Sequence, residues 1–100
     1  VENNGAIANM QDDAMVEVVC ELGINGPRPM RVGNIPQFNL GLLVNQVSCE
    51  KLIVDAYFEN SYQKALEAFT LNRLINDAKK ARKVLDALIE ANKGMWPELR

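Results

Sequence analysis

One hundred residues, 48% apolar and 24% charged, make one small folded domain and exclude a disordered chain. The net charge of −2 excludes non-specific nucleic-acid binding, which needs a basic footprint, and no apolar run approaches the roughly 20 residues of a membrane span. A domain of this size buries only about 60–65% of its unfolded surface, so a piece cut from a larger protein leaves apolar surface without its cover.

The chain opens Val1-Glu2-Asn3-Asn4-Gly5, without an initiator Met or a signal-peptide pattern, as expected of a truncated or processed product. Asn3-Asn4-Gly5 is turn-like, and Ile7 with its neighbours is a candidate strand. From Ala14 to Leu22, Val16, Val18, Cys20 and Leu22 fall on one face, with Met15, Glu17, Val19 and Glu21 on the other. That period of two predicts a half-buried strand. Asn25-Gly26 tolerates the positive φ of a tight turn, and Pro29 to Val32 fits a short return strand. Pro29 cannot donate to a ladder, which places it at an edge or at a strand start.

Gly33-Asn34-Ile35-Pro36 separates this region from a helical one. Leu40, Leu43, Val44 and Val47 follow helical spacing, and Val54, Tyr57 and Phe58 continue it. Asn60-Ser61 interrupts that helix, and Ser61 is placed to cap the next, whose stripe is Tyr62, Ala65, Leu66 and Phe69. The last helix carries Ala81, Val84, Leu85, Leu88 and Ile89, with Asn76 or Asp77 as N-cap and Gly94 at its C-terminal end. Strands precede helices, so the fold class is α+β: antiparallel strands followed by about three helices, over a single domain, residues 1–100.

Residues 1–50 hold two bases against six acids, and residues 51–100 nine bases against seven acids. The second-half excess includes Lys79, Lys80, Arg82 and Lys83, read as a solvated helix face rather than an anion site. The chain has no histidine, which removes imidazole bases, Ser-His-Asp and Cys-His arrangements, and His-based zinc sites. Gly23, Gly26 and Gly33 form no phosphate-binding fingerprint. Cys20 and Cys49 are too few for a disulfide framework and match no metal spacing. As free thiols they point to a reducing, cytoplasmic setting. Cys20 falls on the apolar face, as a buried inert thiol would. Asp12, Asp13, Glu17 and Glu21 are the remaining acids for a two-carboxylate mechanism, but acids at a strand start are more often solvated turn residues. Met95 and Trp96 read as core or docking contacts. Composition and spacing alone therefore describe a non-catalytic α+β domain.

Several stretches, taken in order, resemble glycoside hydrolase family 4. Asn3-Asn4-Gly5-Ala6-Ile7 is similar to the N-N-G-A-I segment opening the family's C-terminal region, and Ala14 to Cys20 to its A-x-V-E-V-P-C strand. Val32-Gly33 with Ile35-Pro36-Gln37 resembles the V-G-x-[IL]-P turn, and Gln46 to Leu52 the Q-V-x-x-E-x-L helix core. Glu90 to Lys93, then Trp96-Pro97-Glu98-Leu99, resemble the branch that cleaves 6-phospho-α-glucosides. The likeness runs the length of the chain. It departs at Val19, where the family usually has proline.

This resemblance implies the C-terminal portion of an enzyme whose second domain is similar to that of lactate and malate dehydrogenases. It implies a mechanism in which bound NAD oxidises the sugar's C3 hydroxyl, the C2 proton is removed, the aglycone is eliminated, water adds and the hydride returns. A divalent metal, usually manganese, polarises the sugar hydroxyls. The family's dinucleotide fingerprint, metal ligands and base lie in upstream motifs that this chain lacks, so the resemblance assigns it no catalytic, cofactor or metal residue, and predicts no turnover by it alone. Asn3, Asn4 and Gly5 are best placed to lie near the sugar site, with a plain turn role as the other reading. The implied partners are the rest of the parent chain, a 6-phospho-glucoside substrate and further copies of the parent, with no nucleic acid and no membrane. A 6-phospho-β-glucosidase parent and a free-standing helical interaction module stay open as alternatives.

Overall fold

A computed structural model describes residues 1–100. Its elements are β1 (Cys20–Gly23), β2 (Gly26–Pro29), α1 (Gln37–Glu59), α2 (Tyr62–Leu71) and α3 (Ala78–Ala91), strands first and helices after. The chain divides into two compact units, Val1–Val47 and Ser48–Arg100, and the division falls within α1.

In the first unit, β1 and β2 form an antiparallel hairpin pairing Cys20 with Pro29, Glu21 with Arg28, Leu22 with Pro27 and Gly23 with Gly26. The connection is Ile24-Asn25, and the positive φ falls on Gly26 (95°), so the turn sits one residue earlier than Asn25-Gly26 suggests. The strand predicted from Ala14 to Leu22 is paired at its two ends. Met15 bridges Glu2 in antiparallel sense, and the hairpin ladder begins at Cys20, because its partner reaches no further back than the Met30 amide, which donates to the Val19 carbonyl at 2.9 Å. Val16 and Val18 keep the predicted alternation and pack on a core of Ile7, Met10, Ala14 and Val47, joined by Ile35 and Leu40. The return segment leaves the hairpin early: β2 ends at Pro29, and the Val32 amide donates instead to the Ala6 carbonyl at 2.8 Å. Ile7 forms an isolated parallel bridge to Gly33 rather than a third strand. Asn9 fastens the turn before α1, its amide donating to the Ile35 carbonyl and accepting from the Ile35 amide, both at 3.0 Å.

In the second unit, Ala56 of α1, Ala65 of α2 and Leu85 of α3 are buried together, with Ile53, Tyr62, Leu66, Phe69, Ile89 and Leu99 packed around them. Small side chains at Ala56 and Ala65 let helices approach closely, so contact area comes from backbone proximity as well as side-chain volume. The predicted continuation of the α1 stripe through Val54, Tyr57 and Phe58 is incorrect: all three are exposed, and Ile53 and Ala56 face the core. The misreading has a physical origin. This part of α1 is apolar on both faces, so helical spacing does not say which face turns inward.

α1 ends on Asn60 at φ 55°, and the Ser61 amide reaches back to the Ala56 carbonyl at 2.9 Å, a Schellman closure with asparagine in the left-handed position. Ser61 then caps α2 as predicted, its hydroxyl accepting from the Lys64 amide at 3.3 Å. The C-terminal residues pair with this junction: the Arg100 amide donates to the Asn60 carbonyl (2.8 Å), and the Tyr62 amide to the Arg100 carbonyl (3.0 Å). Of the two N-cap candidates for α3, Asp77 holds the position, accepting from the Lys80 amide at 2.9 Å. No helix is long and apolar enough to cross a membrane.

Candidate functional site

The Asn3-Asn4-Gly5 segment carries the densest side-chain hydrogen bonding of the first unit. Asn4 (φ 41°) and Gly5 (φ 80°) both have positive φ, and the Ala6 amide donates to the Asn3 carbonyl at 2.7 Å, the signature of a type I′ turn. A β-branched residue at either position is strained there. The Asn3 side chain is 0% exposed. Its amide nitrogen lies 3.0 Å from the Ile7 carbonyl, 3.2 Å from that of Met10 and 3.0 Å from that of Gln11, while its oxygen accepts from the Ile7 amide at 2.7 Å. Asn3 is thus a hub closing the Asn3–Gln11 loop on itself, with its amide fully engaged. Asn4 is exposed, and its side chain donates to Glu2 at 3.2 Å. The turn character of this segment was legible in Asn-Asn-Gly. Asn3's reach to carbonyls eight residues on was not, since nothing in the sequence marks which carbonyls need a donor.

The acids singled out from the sequence do not converge. Asp12 and Asp13 are exposed in a turn, Glu17 is exposed, and Glu21 pairs with Arg28 across the hairpin. Cys20 is half-buried, more accessible than its place in the alternation suggests, and its thiol donates to the Val18 carbonyl at 3.4 Å. Cys49 is the buried thiol, and burial raises its pKa above the ordinary thiol range, which disfavours the reactive thiolate. No three Cys, Asp or Glu side chains gather where they could hold a metal ion. The donors present do not fit a metal centre, and no step of metal chemistry can be assigned to them.

Two cationic groups of the second unit, Lys64 and Arg82, are similarly committed to structure. Lys64 bridges Glu59 (2.6 Å) and Asp55 (3.3 Å), and its pKa is raised chiefly by the Glu59 hydrogen bond. Arg82 lies 5.8 Å over the Tyr62 ring. Tyr62 donates to Asp86 at 2.7 Å, which raises the phenol pKa. Lys79, Lys80 and Lys83 are exposed, as the solvated-face reading expected. A groove of about 190 Å³ lined by Ile53, Phe69, Leu85, Ile89, Trp96 and Leu99 is apolar and presents no charged group to a phosphate. Beside it, Trp96 stacks edge-on against Tyr57 (5.8 Å), which does the same with Phe58 (5.4 Å).

The fold is an α+β domain in which the side chains of Asn3, Asn9, Ser61 and Asp77 fix turns and helix ends. It belongs to the family 4 glycosyl hydrolases: residues 1–75 match the family's C-terminal domain. Over 99 residues the chain is 56% identical to maltose-6'-phosphate glucosidase of Bacillus subtilis (strain 168), covering 99% of this chain and 22% of that protein. The fold superposes with TM-score 0.97 and 84% identity on a crystal structure of a 6-phospho-alpha-glucosidase from gut microorganisms in complex with NAD and Mn2+. It superposes with TM-score 0.96 and 54% identity on another in complex with NAD and glucose-6-phosphate. In both, all of this chain is covered and 23% of the other. The chain therefore spans less than a quarter of the length of the relatives it matches. The resemblance carried by its collinear motifs holds, and Val19 does not disturb it.

Proposed function

We propose that this chain is the C-terminal domain portion of an NAD- and manganese-dependent 6-phospho-α-glucosidase that hydrolyses phosphorylated α-glucosides in the cytoplasm as a homo-oligomer. The observation that carries this reading is end-to-end similarity, at 84% identity, to a 6-phospho-alpha-glucosidase holding NAD and Mn2+. The surface supports it. Leu22 and Ile24 at the hairpin tip are 86% and 103% exposed, and Val54, Tyr57, Phe58 and Met95 are exposed in the helical unit. Such apolar surface is what a domain presents when its neighbours are the rest of an enzyme.

In this reading the oxidation, elimination and return of hydride are carried out by groups outside these residues. The chain contributes rigidity. Asn3 acts as a positioning residue, holding the Asn4-Gly5 turn in one conformation where the polypeptide arrives from the catalytic region, next to the sugar site. The α preference follows from the maltose-6'-phosphate glucosidase and 6-phospho-alpha-glucosidase relatives together with the Trp96-Pro97-Glu98-Leu99 ending.

The test is the full-length protein from the reading frame containing Val1, assayed on a chromogenic pair of 6-phospho-α- and 6-phospho-β-glucosides. Cleavage of the α substrate only, dependent on added NAD and Mn2+, is expected. Turnover of the β substrate alone would move the protein to the other branch. Turnover of neither, in a folded preparation with both cofactors, would sink the enzymatic reading and favour the interaction module. For the positioning role, Asn3→Ala and Asn4→Ala in that enzyme must change kcat or KM; unchanged values for both refute it.

A further inference from the structure

Two independent sets of hydrogen bonds in the first unit meet on one strand edge. The first comes from the hairpin. Hydrogen-bonded and non-hydrogen-bonded pairs alternate along an antiparallel ladder. The Met30 amide bonds to the Val19 carbonyl, so Val19, Glu21 and Gly23 turn their backbone groups into the hairpin, and Cys20 and Leu22 turn theirs out. On β2 the outward positions are Pro27 and Pro29, the register partners of Leu22 and Cys20. Neither has an N–H, so the β2 edge offers no donor there and is closed to strand addition. The β1 edge keeps donor and acceptor at both Cys20 and Leu22.

The second set comes from the start of the chain. The Val16 amide donates to the Val1 carbonyl at 2.8 Å, and the Val1 amino group donates to the Val16 carbonyl at 3.1 Å. Glu2 bridges Met15 in antiparallel sense, and the Asn3 amide donates to the Ala14 carbonyl at 2.8 Å. The first residues thus run antiparallel to the stretch that leads into β1, with Val1–Val16 and Asn3–Ala14 as hydrogen-bonded pairs. Extended backward in that register, the residue two before Val1 stands opposite Val18, four before opposite Cys20, and six before opposite Leu22. All three are again hydrogen-bonded positions. They include the two at which the hairpin, on separate grounds, leaves its edge open.

The geometry points to a third strand: the stretch of parent polypeptide immediately preceding Val1 lies antiparallel along β1, making β1 the central strand of a three-stranded sheet with β2 as its proline-blocked edge. This rests on the reading that the chain is part of a longer enzyme, most of whose length lies outside these residues. The register also sets a side-chain pattern. Directly opposed residues share a face, and Val16 and Val18 pack on the Ile7–Met10–Ala14–Val47 core. The residues two and four before Val1 are therefore apolar, and the one six before covers Leu22.

Residue-resolved amide hydrogen exchange on the full-length protein tests this. The Cys20 and Leu22 amides are expected to exchange at least roughly 100-fold more slowly than the Ile24 and Asn25 turn amides, at a rate unchanged by tenfold dilution. Turn-like exchange at both would overturn the proposal. Protection lost on dilution would also overturn it, by making a second copy the occupant of the edge. Activity of the same preparation on the α and β substrates is read separately, so failure of the sugar assignment and failure of the strand assignment are distinguishable.

Discussion

In Val1–Val47 the structure converges on a buried amide, Asn3, whose bonds gather the Ile7, Met10 and Gln11 carbonyls. In Ser48–Arg100 it converges on alanines, Ala56, Ala65 and Ala81, all fully buried among helices. Ahead of the first half of α1, the first unit has little regular structure, a hairpin of two four-residue strands and a series of turns, so backbone groups that a ladder would satisfy need a side-chain partner. The second satisfies its backbone within helices and is ordered by apolar contact. One region therefore depends on direction and the other on shape, and the two should fail differently under substitution.

The sharpest break is at Asn3. Asn3→Ala leaves the Ile7 amide without its acceptor and the Met10 carbonyl without its donor, while the Ile7 and Gln11 carbonyls keep the Met10 and Ala14 amides, a loss of roughly 3–5 kcal/mol if the site stays dry. Urea unfolding of the full-length protein measures it, with far-UV circular dichroism as the probe. Asn3→Gln, one methylene longer, should recover little of that. In the helical unit, Leu85→Ala should cost about 2–4 kcal/mol through the cavity it opens, whereas Leu85→Met should cost less than about 1.5 kcal/mol. A small deficit for Asn3→Gln, or a large one for Leu85→Met, would contradict the distinction. The alanines test shape from the other side: Ala65→Leu, at a position with 0% exposure, should cost about 1–3 kcal/mol by overpacking.

The same contrast separates what the sequence reveals from what it conceals. Helical spacing and caps are local, so the stripe Tyr62-Ala65-Leu66-Phe69 and the Ser61 cap were readable, and the α3 cap was narrowed to Asn76 or Asp77. Strand ladders depend on a partner distant in sequence. Alternation from Val16 to Leu22 indicates extended backbone, yet pairing exists only where a partner lies alongside, Val1 against Val16 and the hairpin's return strand from Cys20 onward. In α1 the inward face is decided by what packs on it, and Val54, Tyr57 and Phe58 are as apolar as the face that wins. At the candidate site, Asn-Asn-Gly announces a turn, but the burial of Asn3 follows from carbonyls placed by the tertiary fold. Family membership was legible because the motifs are collinear along the chain, although each one alone is weak.

Smaller effects fall at the helix ends. Ser61→Ala removes the acceptor of the Lys64 amide and should cost about 1 kcal/mol, leaving the Schellman closure on Asn60 intact because that uses backbone groups only. Asp77 adds a pH signature. Its carboxyl is held below its ordinary value of 3.8, first by the Lys80 backbone N–H and further by that of Lys79 and the charges of Lys80 and Lys83. The native pKa is therefore the depressed one. The contribution is complete above the ordinary value and is lost as pH falls through the native value, so acid should weaken α3 and alkali should not. Asp77→Asn keeps an acceptor for the Lys80 amide but cannot titrate. Thermal unfolding of the two proteins should give Tm values furthest apart, with the aspartate protein higher, above the ordinary value of 3.8, and converging as pH falls below it. Parallel Tm curves across that range would mean that the cap is worth the same charged or neutral, and that the lysines beside it contribute nothing through charge.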